Sequence, residues 1–264
     1  MKRTSLFLVI CTAACLLSGC GQGKFTRLVF DEPFDGEGLP DDRSWAYEEG
    51  YVRNGEKQYY TVARQENCYL KDGYLHLVIR NDSAEIDGQT VPVTSASIRT
   101  KGKQEWLYGR VEVRAKLPSC LGTWPAIWMM PATPSYGKWP KSGEIDIMEH
   151  VGYDPDRIHF TIHTEKYNHI KETQKSHAIQ TPTATTEFHI FAMQWDEQRI
   201  EWFMDGEKQY AVENTESGWE AWPFDQPFYL ILNAAFGGGW GGKNGVDLSQ
   251  LPQEFIIDYV RVYQ

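Results

Sequence analysis

Apolar and polar residues alternate with a period of two over residues 74–79, 110–117, 159–163, 188–195, 200–204 and 255–263. Such alternation turns one face of an extended segment toward a core and leaves the other polar, as in half-buried β-strands. Asp205-Gly206, directly after one of these segments, has the composition of a tight hairpin turn. No long stretch carries a 3.6-residue period, no internal repeat is visible, and residues 237–242, rich in glycine, read as a loop inside one domain. The pattern predicts an all-β chain in which two antiparallel sheets stack face to face.

Residues 143–150 depart from simple alternation. Glu144 and Asp146 alternate with Ile145 and Ile147, so a regular strand places both acids on one face. Strict alternation would send Glu149 to the isoleucine face. One extra residue, a β-bulge near Ile147 or Met148, returns Glu149 to the side of Glu144 and Asp146. The outer glutamates then stand roughly 13 Å apart at Cα, at about 3.3 Å per residue. Side chains leaning toward each other narrow that to a gap of about 5 to 6 Å. Carboxyls about 5 to 5.5 Å apart suit glycoside hydrolysis with retention, whereas inversion needs about 6.5 to 9.5 Å to admit a water. The row alone leaves two other uses open: the solvated face of an antiparallel strand, and a calcium site.

Trp124 and Trp128 lie four residues apart in the apolar run 122–130, hence on one face of a strand. A single tryptophan is normally core. A pair beside a carboxylate row is a platform for the flat faces of sugar rings.

The segments 143–150 and 123–129 together resemble glycoside hydrolase family 16, in particular its laminarinase-like β-glucanases. Residues 54–61, 100–103, 108–118, 222–233 and 258–263 extend the resemblance from about Leu28 to the end of the chain. It implies a concanavalin A-like β-jelly-roll of two antiparallel sheets with a cleft on the concave face. It implies an endo-acting hydrolase of β-1,3- or mixed-linkage β-1,3/1,4-glucans that needs no cofactor for catalysis. By the same resemblance Glu144 is the nucleophile, Glu149 the acid and base, and Asp146 the group between them that orients Glu144. Carboxylates crowded in this way disfavour each other's ionisation, which keeps Glu149 protonated.

Further roles follow from the resemblance. Asn54, Arg99 and Asn233 stand where relatives hydrogen-bond sugar hydroxyls, and His163 at a cleft position. Trp124 and Trp128 are placed on the donor side and Trp240 over an outer subsite. Many relatives hold a structural calcium on the convex face, for which Glu32, Gly73 and Asp258 are the contributors here. His159 and His163 share a strand face but stand roughly 13 Å apart on the backbone as that earlier pair does, too far for a shared ion. Two alternatives stand beside the β-glucanase: a glycan-binding protein on the same sandwich without catalysis, and a family member acting on a galactan. Residues 132–141 and 165–186, read as loops, carry the linkage preference, and 165–186 departs most from laminarinases.

Composition fits a globular chain, 41% hydrophobic and 14% aromatic. Lys2-Arg3 followed by the apolar residues 6–17 reads as a secretory leader, too short to span a bilayer comfortably. It ends in Leu17-Ser18-Gly19-Cys20, which resembles a bacterial lipobox. The expected organisation is therefore a removed leader at 1–19, a short lipid-anchored tether at 20–27 with the lipid on Cys20, and one catalytic sandwich at 28–264. Such a protein belongs to the bacterial cell envelope, at the outer membrane, and a monomer is expected. Loss of Lys2 and Arg3 takes the formal charge from -10 to -12, which argues against nucleic acid and favours an uncharged glucan as partner. Cys11 and Cys15 leave with the leader, so Cys68 and Cys120 remain, by default as two separate thiols.

Overall fold

The structure, a computed structural model, describes residues 24–264; the leader and Cys20 lie outside the described residues. In chain order the strands are β1 (Leu28–Glu32), β2 (Ala46–Tyr47), β3 (Tyr59–Tyr60), β4 (Cys68–Lys71), β5 (Tyr74–Ile86), β6 (Gln89–Ser95), β7 (Ser97–Arg99), β8 (Gly109–Lys116) and β9 (Thr123–Pro131). They continue with β10 (Glu144–Glu149), β11 (Arg157–His163), β12 (Lys175–Gln180), β13 (His189–Trp195), β14 (Arg199–Met204), β15 (Glu207–Glu213), β16 (Phe228–Phe236) and β17 (Gln253–Tyr263). One 3-10 turn, Leu248–Gln250, precedes the last strand.

Two sheets form. The larger runs β15-β14-β13-β8-β17-β5-β6-β3, with β1 beside β17 and β4 beside β5; the smaller runs β12-β11-β10-β9-β16-β7-β2. Each strand expected from alternation is present. Residues 175–180 are a correction, because they form edge strand β12 on β11 where a loop was expected. Lys175, Ser176 and His177 carry no apolar alternation, since an edge strand without a core behind it has little to bury.

The period of two is written into the core. Val111, Val113 and Ala115 of β8, Phe191, Met193 and Trp195 of β13, and Ile200 and Trp202 of β14 face Ile127, Met129, Ile158, Phe160, Ile162, Leu230 and Leu232 of the smaller sheet. In β17 the phase slips by one residue, from Phe255 and Ile257 to Val260 and Val262, because the register against β8 shifts at Asp258. Bulges thus let a strand change which positions face inward.

Cys68 and Cys120 are buried free thiols, as expected by default. Residues 24–27 are fixed rather than slack: Lys24 pairs with Asp196 at 2.7 Å, and Arg27 and Gln264 exchange main-chain hydrogen bonds. Among the described residues no helix is long and apolar enough to cross a membrane.

The three calcium contributors lie near one another along β17, since Glu32 is opposite Val260 and Gly73 precedes β5, whose Leu75 is opposite Ile257. Their side chains are largely engaged otherwise. Glu32 accepts from the Phe34 N–H and the Trp45 indole, and Asp258 Oδ2 is paired with Arg114. The side-chain set fits calcium poorly, leaving Asp258 Oδ1 and main-chain oxygens as the available ligands.

Candidate active site

The bulge in β10 builds the site. Against β9, Asp146 is opposite Trp128 and Met148 opposite Ile127, so Ile147 is the extra residue; against β11, Asp146 meets Thr161 and Glu149 meets His159. Ile145, Ile147 and Met148 are all fully buried in the core, while Glu144, Asp146 and Glu149 share the opposite face. Energetics favour this arrangement over a regular strand. A buried Ile or Met side chain is stabilised by about 1.5 to 3 kcal/mol, against about 1 kcal/mol for a lost ladder hydrogen bond. A regular strand would also drive the Glu149 carboxylate into the apolar layer, at a far larger cost.

Cross-strand rows arrange the concave face. Ser176, Thr161, Asp146, Trp128, Ile231 and Arg99 occupy one row, and His159, Glu149, Ala126, Asn233 and Ser97 the next. His163 is opposite Glu144. Ser176, Thr161, Asp146 and Trp128 of the first row and His159, Glu149, Ala126 and Asn233 of the second line a cleft of about 760 Å³.

Each outer glutamate is held by an indole. Trp139 Nε1 donates to Glu144 Oε2 at 2.7 Å, and Trp124 Nε1 donates to Glu149 Oε1 at 3.0 Å. Asp146 lies between them, 2% exposed, with Oδ2 3.4 Å from His163 Nε2. Burial raises all three carboxyls. Asp146 is pushed up to about 7. Glu144 is pushed up to about 8, by burial first and the Asp146 charge second, opposed by His163 and the Trp139 indole. Glu149 is raised well above the ordinary range, by burial and then by the charges of Asp146 and Glu144. Of the three, only Glu149 is raised by the charges of both of its neighbours. A carboxyl kept protonated by charged neighbours beside a second carboxyl is what a general acid and a nucleophile require.

Residues 55–261 match the profile of glycosyl hydrolases family 16. This chain belongs to glycosyl hydrolases family 16. A beta-glucanase of Rhodothermus marinus is 46% identical over 275 residues, covering all of this chain and 95% of its own length. The X-ray structure of the laminarinase from Rhodothermus marinus matches with a TM-score of 0.86 at 48% identity, over 90% of this chain and 97% of that one. A mutant of a non-specific endo-beta-1,3(4)-glucanase, co-crystallised with 1,3-beta-D-cellotriosyl-glucose, matches with a TM-score of 0.87 at 40% identity, over 92% and 96%. The jelly-roll expectation thus holds for this family 16 chain.

The other expected site residues divide. Asn54, Trp124, Trp128, His163, Asn233 and Trp240 line the cleft. Asn233 is nearly enclosed: it accepts from Trp128 Nε1 at 2.7 Å and donates to the Tyr60 hydroxyl at 3.0 Å, so it sets the orientation of Trp128. Trp240 packs edge-on against Trp124 and His159, at 5.4 and 4.9 Å between ring centres. Asn54 donates to Glu56 at 3.1 Å. Arg99 is not among the lining residues; it pairs with Glu48 at 3.3 Å, beyond the buried Ile231 that separates it from Trp128. Arg53 lines the cleft instead, its guanidinium 4.9 Å from the Trp128 ring and paired with Glu48.

Trp139, Arg53, Glu56, His159, His169, Gln174 and Ser176 line the cleft without having been expected there. Trp139 and His169 come from the segments singled out as loops. A tryptophan five residues before Glu144 was the available signal for Trp139.

Proposed function

We propose that this family 16 glycoside hydrolase is an endo-β-glucanase cleaving β-1,3- or mixed-linkage β-1,3/1,4-glucans with retention of anomeric configuration. The observation that carries the reading is the bulge at Ile147, which brings Glu144, Asp146 and Glu149 to one face, each outer glutamate fixed by its own indole. In the first step a Glu144 carboxylate oxygen attacks the anomeric carbon. The glycosidic C–O bond breaks as Glu149 gives its proton to the departing oxygen. In the second step Glu149 takes a proton from water, whose oxygen attacks the same carbon and releases Glu144. Asp146 keeps the proton on Glu149 between turnovers and, with His163, fixes the Glu144 carboxylate. Both steps use only groups of this chain and water.

Indole rings at Trp128 and Trp124, beside an Arg53 guanidinium already paired with Glu48, suit a neutral glucan. Reducing-sugar release from laminarin, barley mixed-linkage glucan, curdlan and agarose, with product sizing, tests the reading. Wild type should release oligosaccharides from one or more of the glucans, and Glu144→Ser should release none. Binding of glucan with no release at any pH would instead mean a binding protein, and release from agarose alone a galactanase.

The leader and lipobox-like residues 17–20 support anchoring through Cys20 at the bacterial envelope, with the catalytic domain acting as a monomer. Mass spectrometry of the membrane fraction should find acylated Cys20. A soluble protein with unmodified Cys20 would refute anchoring.

A further inference from the structure

The cleft floor has more ligand capacity than glycoside hydrolysis uses. His163 Nε2 lies 3.4 Å from Asp146 Oδ2 and 3.8 Å from Glu144 Oε1, and one donor atom from each residue falls within 4.8 Å of the other two. Asp146 Oδ2 is buried and has no hydrogen-bond partner. Two ligands of a tetrahedral ion at about 2.0 to 2.2 Å stand about 3.3 to 3.6 Å apart. The two His163 spacings meet that requirement within a few tenths of an ångström, and the two carboxylate oxygens, within 4.8 Å of each other, close on the ion by turning about their side-chain torsions. The three residues sit on adjacent strands, with Glu144 directly opposite His163, so the set is already assembled.

We propose that Glu144, Asp146 and His163 bind a zinc-class divalent ion, and that the bound ion closes the active site. One imidazole nitrogen and two carboxylate oxygens form a three-ligand set, with a fourth position open to the cleft for water. An imidazole ligand favours Zn²⁺, Co²⁺ or Cu²⁺, while three ligands fall short of the six to eight oxygens calcium takes. Two buried carboxylates that repel each other gain a common counter-charge. His163 Nδ1 has no partner, so no outer group braces the ring. Metal ligands are normally braced in that way, so this ion is an exchangeable inhibitor rather than a resident cofactor. Occupancy ties up Glu144 Oε1 while Oε2 accepts from Trp139, and inhibition, unlike binding, rests on the function proposed above.

Calorimetry of the tag-free protein with zinc chloride near neutral pH is the test. One zinc ion per chain should bind at this site, an excess of magnesium or calcium should leave its affinity unchanged, and His163→Gln should weaken zinc binding by at least about tenfold. Cobalt should give the visible bands of a four- or five-coordinate site in the wild type, and these should vanish in Asp146→Asn. Absence of both zinc heat and cobalt bands at millimolar metal would overturn the site. Unchanged zinc affinity in a folded His163→Gln protein would also overturn it. Laminarin hydrolysis should fall over the zinc range that calorimetry defines and return on chelation. Zinc binding without any glucan hydrolysis in metal-free buffer would leave the ion site standing and sink the hydrolase reading.

Discussion

Trp202, on the larger sheet, donates its indole N–H to the main-chain oxygen of Asp146 at 2.8 Å, across the buried layer between the sheets. The bulge at Ile147 disturbs the ladder at this point, and Trp202 supplies a partner for the carbonyl it turns inward. The catalytic strand is thereby fixed from behind by the opposite sheet.

Trp202→Phe should leave that buried carbonyl unpaired and lower stability by about 1 to 3 kcal/mol. Loosening of the bulge should also cut kcat by about ten- to a hundredfold with a smaller change in KM. Chemical denaturation and steady-state kinetics check both. Loss of stability with kcat unchanged would mean that the bond serves only the fold.

Trp124 bears on the acid in a way that pH resolves. Its N–H stabilises the charged form of Glu149, so it lowers a proton affinity that burial has raised. Trp124→Phe removes that donor, Glu149 holds its proton to higher pH, and the alkaline limb of kcat/KM should move upward. A limb that stays in place or moves downward would contradict Glu149 as the acid.

Stability should run opposite to activity at this residue. The folded pKa values of Glu144, Asp146 and Glu149 lie above their ordinary ones. Stability from such groups is fully present below the unfolded values and is lost as pH rises through the folded ones, about 7 for Asp146 and about 8 for Glu144. Glu149→Gln removes one member of the crowded set. Its Tm should exceed that of the wild type at pH 8, with the gap shrinking toward pH 5. A Tm below the wild type at pH 8 would show that the carboxylates are not under strain.

Much of this arrangement was legible in the residues. Strands with an apolar face announced themselves through alternation, and the bulge followed from Glu149, which strict alternation would send to the isoleucine face. Edge strand β12 was hidden because Lys175, Ser176 and His177 bury little. Trp139 was hidden for a different reason: its role depends on how residues 132–141 fold back over Glu144, and no local period encodes that. Arg99 was misplaced in the opposite sense. It does lie in the same cross-strand row as Asp146, but Ile231 intervenes and Glu48 holds its guanidinium. Row membership was readable, whereas distance along the row was not.

Glu149→Ala should slow hydrolysis of natural glucan far more than that of an activated aryl glycoside, whose leaving group needs little protonation. Kinetics on both substrates provide the check. Equal loss on the two would remove Glu149 from the acid role.

The central claim is that the bulge makes Glu144 and Glu149 a retaining pair. Proton NMR of the first sugar released from a β-glucan reads this directly, before mutarotation mixes the anomers. The β anomer should appear first, with the α form growing in later. Prompt appearance of the α anomer would contradict the pairing of these two glutamates as nucleophile and acid.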